Sequence, residues 1–287
     1  MKLRALIEPG NPELVATGFQ FTEGPVWHPD GFLLFTDIPA GRIYRWTPET
    51  GATVWREPSG HANGLTLDRA GRLIVCEHGN RRVSRANIAG GADGGPESLA
   101  DQFGGRRLNS PNDVVVHSSG AIYFTDPPYG IRPDEQEQPH NGVYRLATDG
   151  ALTLLAGDFE RPNGLAFAPD EATLYVDDSA RRHVRAFDVQ ADGTLANGRI
   201  IADMDHPQPG VPDGMKIDSA GHLYVTGATG VWVFEPDGTP LGVITTPEGP
   251  ANCAWGDADR QTLYITAKTS LYRIRATLPG LAPVVTG

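Results

Sequence analysis

Six imperfect copies of one unit predict an all-β chain, a six-bladed β-propeller of four-stranded antiparallel blades. Segments opening at Glu23, Asn63, Asn112, Asn163, Asp213 and Asn252 align with one another, their starts about 40 to 50 residues apart. Each reads as an apolar strand, a turn bearing Asp, Gly or Ser, a strand such as "LYVT", and after another turn a third such as "RIYRW" or "LYRI". No helical periodicity competes, so residues 1–287 read as one domain.

The blades follow in order. The linking stretches supply fourth strands, for example "ALTLLAG" at 151–157 and "PLGVITT" at 240–246. The last unit stops after its third strand, "LYRIRA". Near the start, "PELVATGF" at 12–19 has no blade of its own and is expected to form the outer strand of blade six. Closure of that kind removes an open edge that would otherwise invite aggregation.

Composition bounds the function. Gly 35 and Pro 24 suit a turn-rich globular chain, and the net charge of −11 argues against nucleic acid or anionic membranes as partners. No apolar run approaches the roughly 18 residues needed to span a bilayer. Glu8, Pro9 and Gly10 interrupt any leader-like segment, so a cytoplasmic location is expected. Cys76 and Cys253 match no metal or redox spacing and read as reduced, buried thiols. "GGADGG" at 90–95 lacks a strand-to-helix context and reads as a turn, not a nucleotide loop. The five Trp residues, 27, 46, 55, 232 and 255, sit at strand positions and read as inter-blade core.

In a propeller the first strand of each blade lines the central channel. The six opening residues should therefore form a ring at one mouth. Asn-Gly and Asp-Gly are also ordinary turn dipeptides, and for Asn63 and Asn252 that reading competes. It does not explain Glu23, nor six oxygen-bearing side chains meeting on one axis, where buried acceptors and charge need compensation. Two carboxylates with amide oxygens favour one hard divalent cation, Ca²⁺ first, with Mg²⁺, Mn²⁺ or Zn²⁺ also possible.

Antiparallel pairing brings the turns after the second strands to the same mouth. They carry His78 and Asp126, the rim candidates for acid–base work, each with a structural alternative. His78 would pack beside Gly79, and Asp126 would cap its turn. The long blade-three turn 126–141 is a lid candidate. It offers Tyr129 as a ring for a sugar to pack on, or alternatively as a loop anchor. Asn63, Asn112 and Tyr129 are the substrate-binding candidates.

The motifs "FTEGPVWHPDG", "RLNSPNDVVV", "YFTDPPYG", "RPNGLAFAPD", "GVPDGMKID", "EGPANCAWG" and "TLYITAKTSLYRI" resemble the senescence-marker/gluconolactonase/luciferin-regenerating superfamily, most closely its bacterial gluconolactonases. The resemblance spans residues 15–275. It implies a six-bladed propeller with a divalent metal on its axis, held by Glu23, Asn163 and Asp213. Asn112 either joins them or holds substrate, depending on the branch. It further implies opening of sugar lactones of the glucono-1,5-lactone type. The cation would act as Lewis acid on the carbonyl, and Asp213 would be both ligand and first candidate for the base. At Ser110 the animal branch carries a sugar-contacting Arg, so substrate recognition does not transfer from that branch. Calcium-dependent fluorophosphate hydrolases share the ligand pattern, which leaves phosphotriester hydrolysis as an alternative. A non-catalytic propeller that binds partner proteins is a further one.

Overall fold

The computed structural model describes residues 2–88 and 95–286. Among them the strands form six four-stranded antiparallel sheets and one two-stranded hairpin, with helical structure limited to two short 3-10 turns, Leu3–Ala5 and Pro133–Glu135. Among the described residues no helix is long and apolar enough to cross a membrane. The expected turn at 90–95 lies, apart from Gly95, outside the described residues.

Blade one shows the pattern that the others follow: β2 (Thr22–His28), β3 (Phe32–Asp37), β4 (Arg42–Thr47) and β5 (Gly51–Arg56) pair in sequence order. In blade six, β24 (Pro250–Gly256), β25 (Thr262–Ala267) and β26 (Ser270–Arg275) take β1 (Glu13–Thr17) as their outer strand. Thr17 pairs with Ser270 and Glu13 with Arg273, so the ring closes as the unpaired last edge requires.

The core is built between blades, because both faces of a middle strand are covered. Phe35, Trp46, Tyr264 and Leu271 form one cluster shared by blades one and six, where Trp27 stacks on Tyr264 at 5.5 Å. Trp46 and Trp255 are buried, and Trp27, Trp55 and Trp232 pack at the edges of such clusters. Both cysteines are buried free thiols.

One segment was not legible as structure. Residues 277–286 run across the end of the channel opposite the polar mouth. The Leu281 amide donates to the Ile217 carbonyl, the Gly280 amide to Arg260, and the Thr286 amide to Arg69. Gly280 lies directly on the Trp255 indole, since an added Cβ would sit 1.7 Å from its Cγ.

Candidate active site

Each opening residue sits where its strand departs from regular pairing. In β2, β6 (Ala62–Leu67), β16 (Pro162–Phe167) and β24 the register shifts beside Glu23, Asn63, Asn163 and Asn252. β12 (Val114–Val116) and β20 (Met215–Ile217) begin to pair only after Asn112 and Asp213. An irregularity of this kind re-aims a side chain that the pleat would otherwise alternate away.

The glycine that follows is needed for close approach, not for a turn. The Gly64 amide donates to the Asn112 carbonyl at 2.8 Å, and the Gly164 amide to the Asp213 carbonyl at 3.0 Å. A Cβ at these positions would lie 2.6 and 2.1 Å from those same oxygens. The turn reading of Asn63 and Asn252 is thereby replaced, because both lie within strands.

The ring forms as expected. The Asn63 amide donates to Asn112 Oδ1 at 2.6 Å, and the Asn112 amide donates to Asn163 Oδ1. Asn163 in turn donates to Ser179 Oγ at 3.0 Å and contacts Asp213. Asp213 meets Glu23, which contacts Asn252. Glu23, Asn63, Asn112, Asn163 and Asn252 are all buried; Asp213 keeps some exposure at the mouth although protein crowds its carboxyl.

Charge at the hub is unbalanced. Burial pushes the Glu23 carboxyl up to about 7, against help from the Gly24 amide, and the nearby Asp113 adds to the rise. Burial and the Glu23 charge together raise Asp213. Asp113, buried beside them, is raised by burial and relieved by the Lys216 ammonium. Lys216 also donates to Asn252 Oδ1 at 3.3 Å.

A further acid, Asp177, is fully buried with neither oxygen hydrogen-bonded. Burial raises it, and Asp213, Asp113 and Asp178 raise it more. The residue before the end of the second strand is Thr36, Thr125 and Thr226 in blades one, three and five. There it donates to the carbonyl of Asn63, Asn163 or Ala251 in the next blade. Asp177 takes that place in blade four.

The rim candidates separate. Both oxygens of Asp126 accept backbone amides, from Ser110 and Asn109 at 2.7 Å each. Asp37 and Asp178 hold the strand entrances of their own blades in the same way. Asp126 therefore has the turn-holding role, and burial pushes it up to about 7 against those amides. His78 Nε2 lies 3.2 Å from Asn112 Oδ1 and 3.1 Å from Asn63 Nδ2, behind the ring. Burial lowers it to about 4, so it stays neutral near pH 7.

Ser110 is fully buried, and its Oγ accepts the Gly130 amide at 3.0 Å. Pinning Gly130 presents Tyr129 at the mouth, the residue 39% exposed and its hydroxyl in contact with Ser179 and Asn163. The lid candidate is tied down: Gln138 donates to the carbonyls of Phe103 and Arg106, and Glu137 accepts the Arg107 amide.

The residues fit a hard cation. Two carboxylates, Glu23 buried and Asp213 crowded at the mouth, converge with two amide oxygens, and the mutual repulsion of the acids is what a divalent ion would relieve. Half of this donor set is amide, so it forms no cluster of three or more His, Cys, Asp or Glu; none occurs among the described residues.

Residues 21–269 match the SMP-30/Gluconolactonase/LRE-like region. The chain belongs to that family. It is 36% identical to a gluconolactonase from Zymomonas mobilis, over 96% of this chain and 84% of the relative. It is 32% identical to the pentonolactonase XacC of Haloferax volcanii, over 88% and 83%. A solved gluconolactonase from Xanthomonas campestris superposes with a TM-score of 0.86 at 37% identity, covering 96% of this chain and 92% of that one.

Sequence reasoning missed Asp113, Ser179 and Lys216 as neighbours of the ring, and for Asp177 it gave a place among the turns at this mouth but no role. For Asp177 a signal existed, because the aligned repeats put Thr at its position in four other blades.

Proposed function

We propose that this protein is a metal-dependent hydrolase that opens sugar lactones to aldonic acids. One observation carries the reading: Glu23, Asp213, Asn112 and Asn163, from four different blades, meet at one mouth of the channel. The family relatives support the reaction class, their names being those of lactone hydrolases.

Glu23, Asn112, Asn163 and Asp213 would hold the cation, with Ca²⁺ the first choice. When bound, it supplies Lewis-acid stabilisation for the oxyanion that develops on the lactone carbonyl. The chain's own residues do the remaining work. Asn63 and His78 orient the Asn112 amide from behind. Ser179 fixes Asn163, and is itself fixed by donating to the Pro212 carbonyl at 2.6 Å. Tyr129 gives the sugar ring an aromatic face at the entrance. Asp213, partly exposed at the mouth beside Glu23 and Asn163, is the residue we assign to accept the proton of the attacking water. Breaking the ester C–O bond sends the accepted proton to the departing ring oxygen and leaves a carboxylic acid, which releases its own proton to solvent as the aldonate.

A pH-indicator assay with glucono-1,5-lactone, other aldonolactones and a phosphotriester, each with and without EDTA, tests this reading. Lactone turnover lost in EDTA and restored by a divalent cation is expected. Turnover unaffected by EDTA, or confined to the phosphotriester, would contradict it.

A further inference from the structure

Arginines around blade four are almost all spoken for. Arg185 pairs with Asp158 at 2.9 Å, Arg182 with Asp205 at 2.8 Å, and Arg181 with Asp178 at 3.6 Å. Arg161 differs. Its amide donates to Asp178 Oδ1 at 3.1 Å and its carbonyl accepts the Ser179 amide at 3.0 Å, so its backbone is fixed two residues before Asn163. Its exposed side chain has no carboxylate partner among the described residues. Instead its guanidinium lies over the Tyr129 ring, 5.5 Å from the centroid.

Tyr129 carries that guanidinium to the mouth, because its hydroxyl end contacts Ser179 and Asn163. Ring and guanidinium together form a wall that starts at the ligand ring and ends in free N–H donors. A guanidinium presents five such donors in a rigid fork and has no acceptor of its own. In a chain of net charge −11, a carboxylate to neutralise it would have been easy to place. The position is left open to an oxygen-rich ligand.

We propose that Arg161 is a specificity-determining residue: it binds the hydroxyl oxygens on the part of the lactone remote from the carbonyl, while the sugar ring packs on Tyr129. This rests on the lactone-hydrolase reading and adds the residue that would tell polyhydroxylated from unsubstituted lactones. The chemistry at the carbonyl is left to the axial ring, so Arg161 acts on binding.

The test compares Arg161→Ala with the parent on glucono-1,5-lactone and on unsubstituted δ-valerolactone, with melting temperature as a fold control. Loss of one or two charge-assisted hydrogen bonds should raise KM for gluconolactone about tenfold, with kcat within about twofold and δ-valerolactone unchanged. Arg161→Lys should recover only part of the loss, since an ammonium lacks the planar fork. Equal shifts for both lactones, or none for either, would overturn the proposal. Calorimetric binding of D-gluconate against pentanoate separates the two claims. If the parent turns over no lactone yet binds gluconate through Arg161, the hydrolase reading falls and the Arg161 assignment stands. If gluconate binding is absent or indifferent to Arg161, the assignment falls.

Discussion

The two ends of the central channel are built from the same six strands and could hardly differ more. At one mouth the opening residues are oxygen donors, their strands distorted so that the donors converge. A few residues further along, the same strands turn apolar. Val26, Leu65, Val115, Phe167 and Ile217 line a cavity of about 320 Å³, which Leu281 and Pro283 of the C-terminal segment help to wall. The repeat thus separates two tasks along one strand. Convergent polarity is affordable only where a ligand can compensate it, and the other end is closed by the chain itself.

That contrast can be broken by mutation. At the polar mouth, Glu23→Ala or Asp213→Ala should lower lactone turnover by roughly 10³-fold or more, the scale of losing Lewis-acid stabilisation. Melting temperature in EDTA should not fall, because each change removes a buried or crowded carboxylate that repels its neighbour. A metal-free variant that unfolds would show that these acids serve the fold.

Truncation after Thr277 should do the reverse at the other end. Losing the Gly280 contact with Trp255, the Leu281 hydrogen bond and the packing of Val285 should cost about 1–3 kcal/mol, several degrees in a chain of this size. Turnover per folded molecule should persist. A truncated protein of full stability but no activity would invert the assignment of the two ends.

The smallest effect is one of pH. Glu23 and Asp126 are held near 7 by burial, against ordinary values of 4.5 and 3.8, and Asp177 is raised as well. The folded metal-free chain therefore holds protons that the unfolded chain has released, and stability falls as pH rises from about 4 through 7. In EDTA the melting temperature should be higher at pH 5.5 than at pH 8. Asp177→Thr, which restores the hydroxyl found in four other blades, should raise stability at pH 8 by about 1–3 kcal/mol and flatten the dependence. A rise in stability with pH would contradict the assigned shifts.

The sequence made the fold legible because a propeller repeats itself, and six aligned openings state both the topology and the ring. Strand β1 was legible by subtraction, since the last unit lacked a partner for its edge. Asp126 was ambiguous for a physical reason. The same carboxylate could face the channel or cap a turn, and only the two amide contacts from Asn109 and Ser110 decide between them. The C-terminal segment belongs to no repeat, and its contacts with Arg69, Ile217 and Trp255 are distant in sequence. Arg161 sits inside a recognisable motif, yet what sets it apart is that its guanidinium meets no carboxylate among the described residues, which no local pattern reports.

The most direct measurement is calorimetric titration of EDTA-stripped protein with Ca²⁺, Mg²⁺, Mn²⁺ and Zn²⁺, alongside Asp213→Ala. The account predicts one divalent site per chain that restores turnover and disappears in the variant. No binding by any of these ions, or binding that Asp213→Ala leaves untouched, would contradict it.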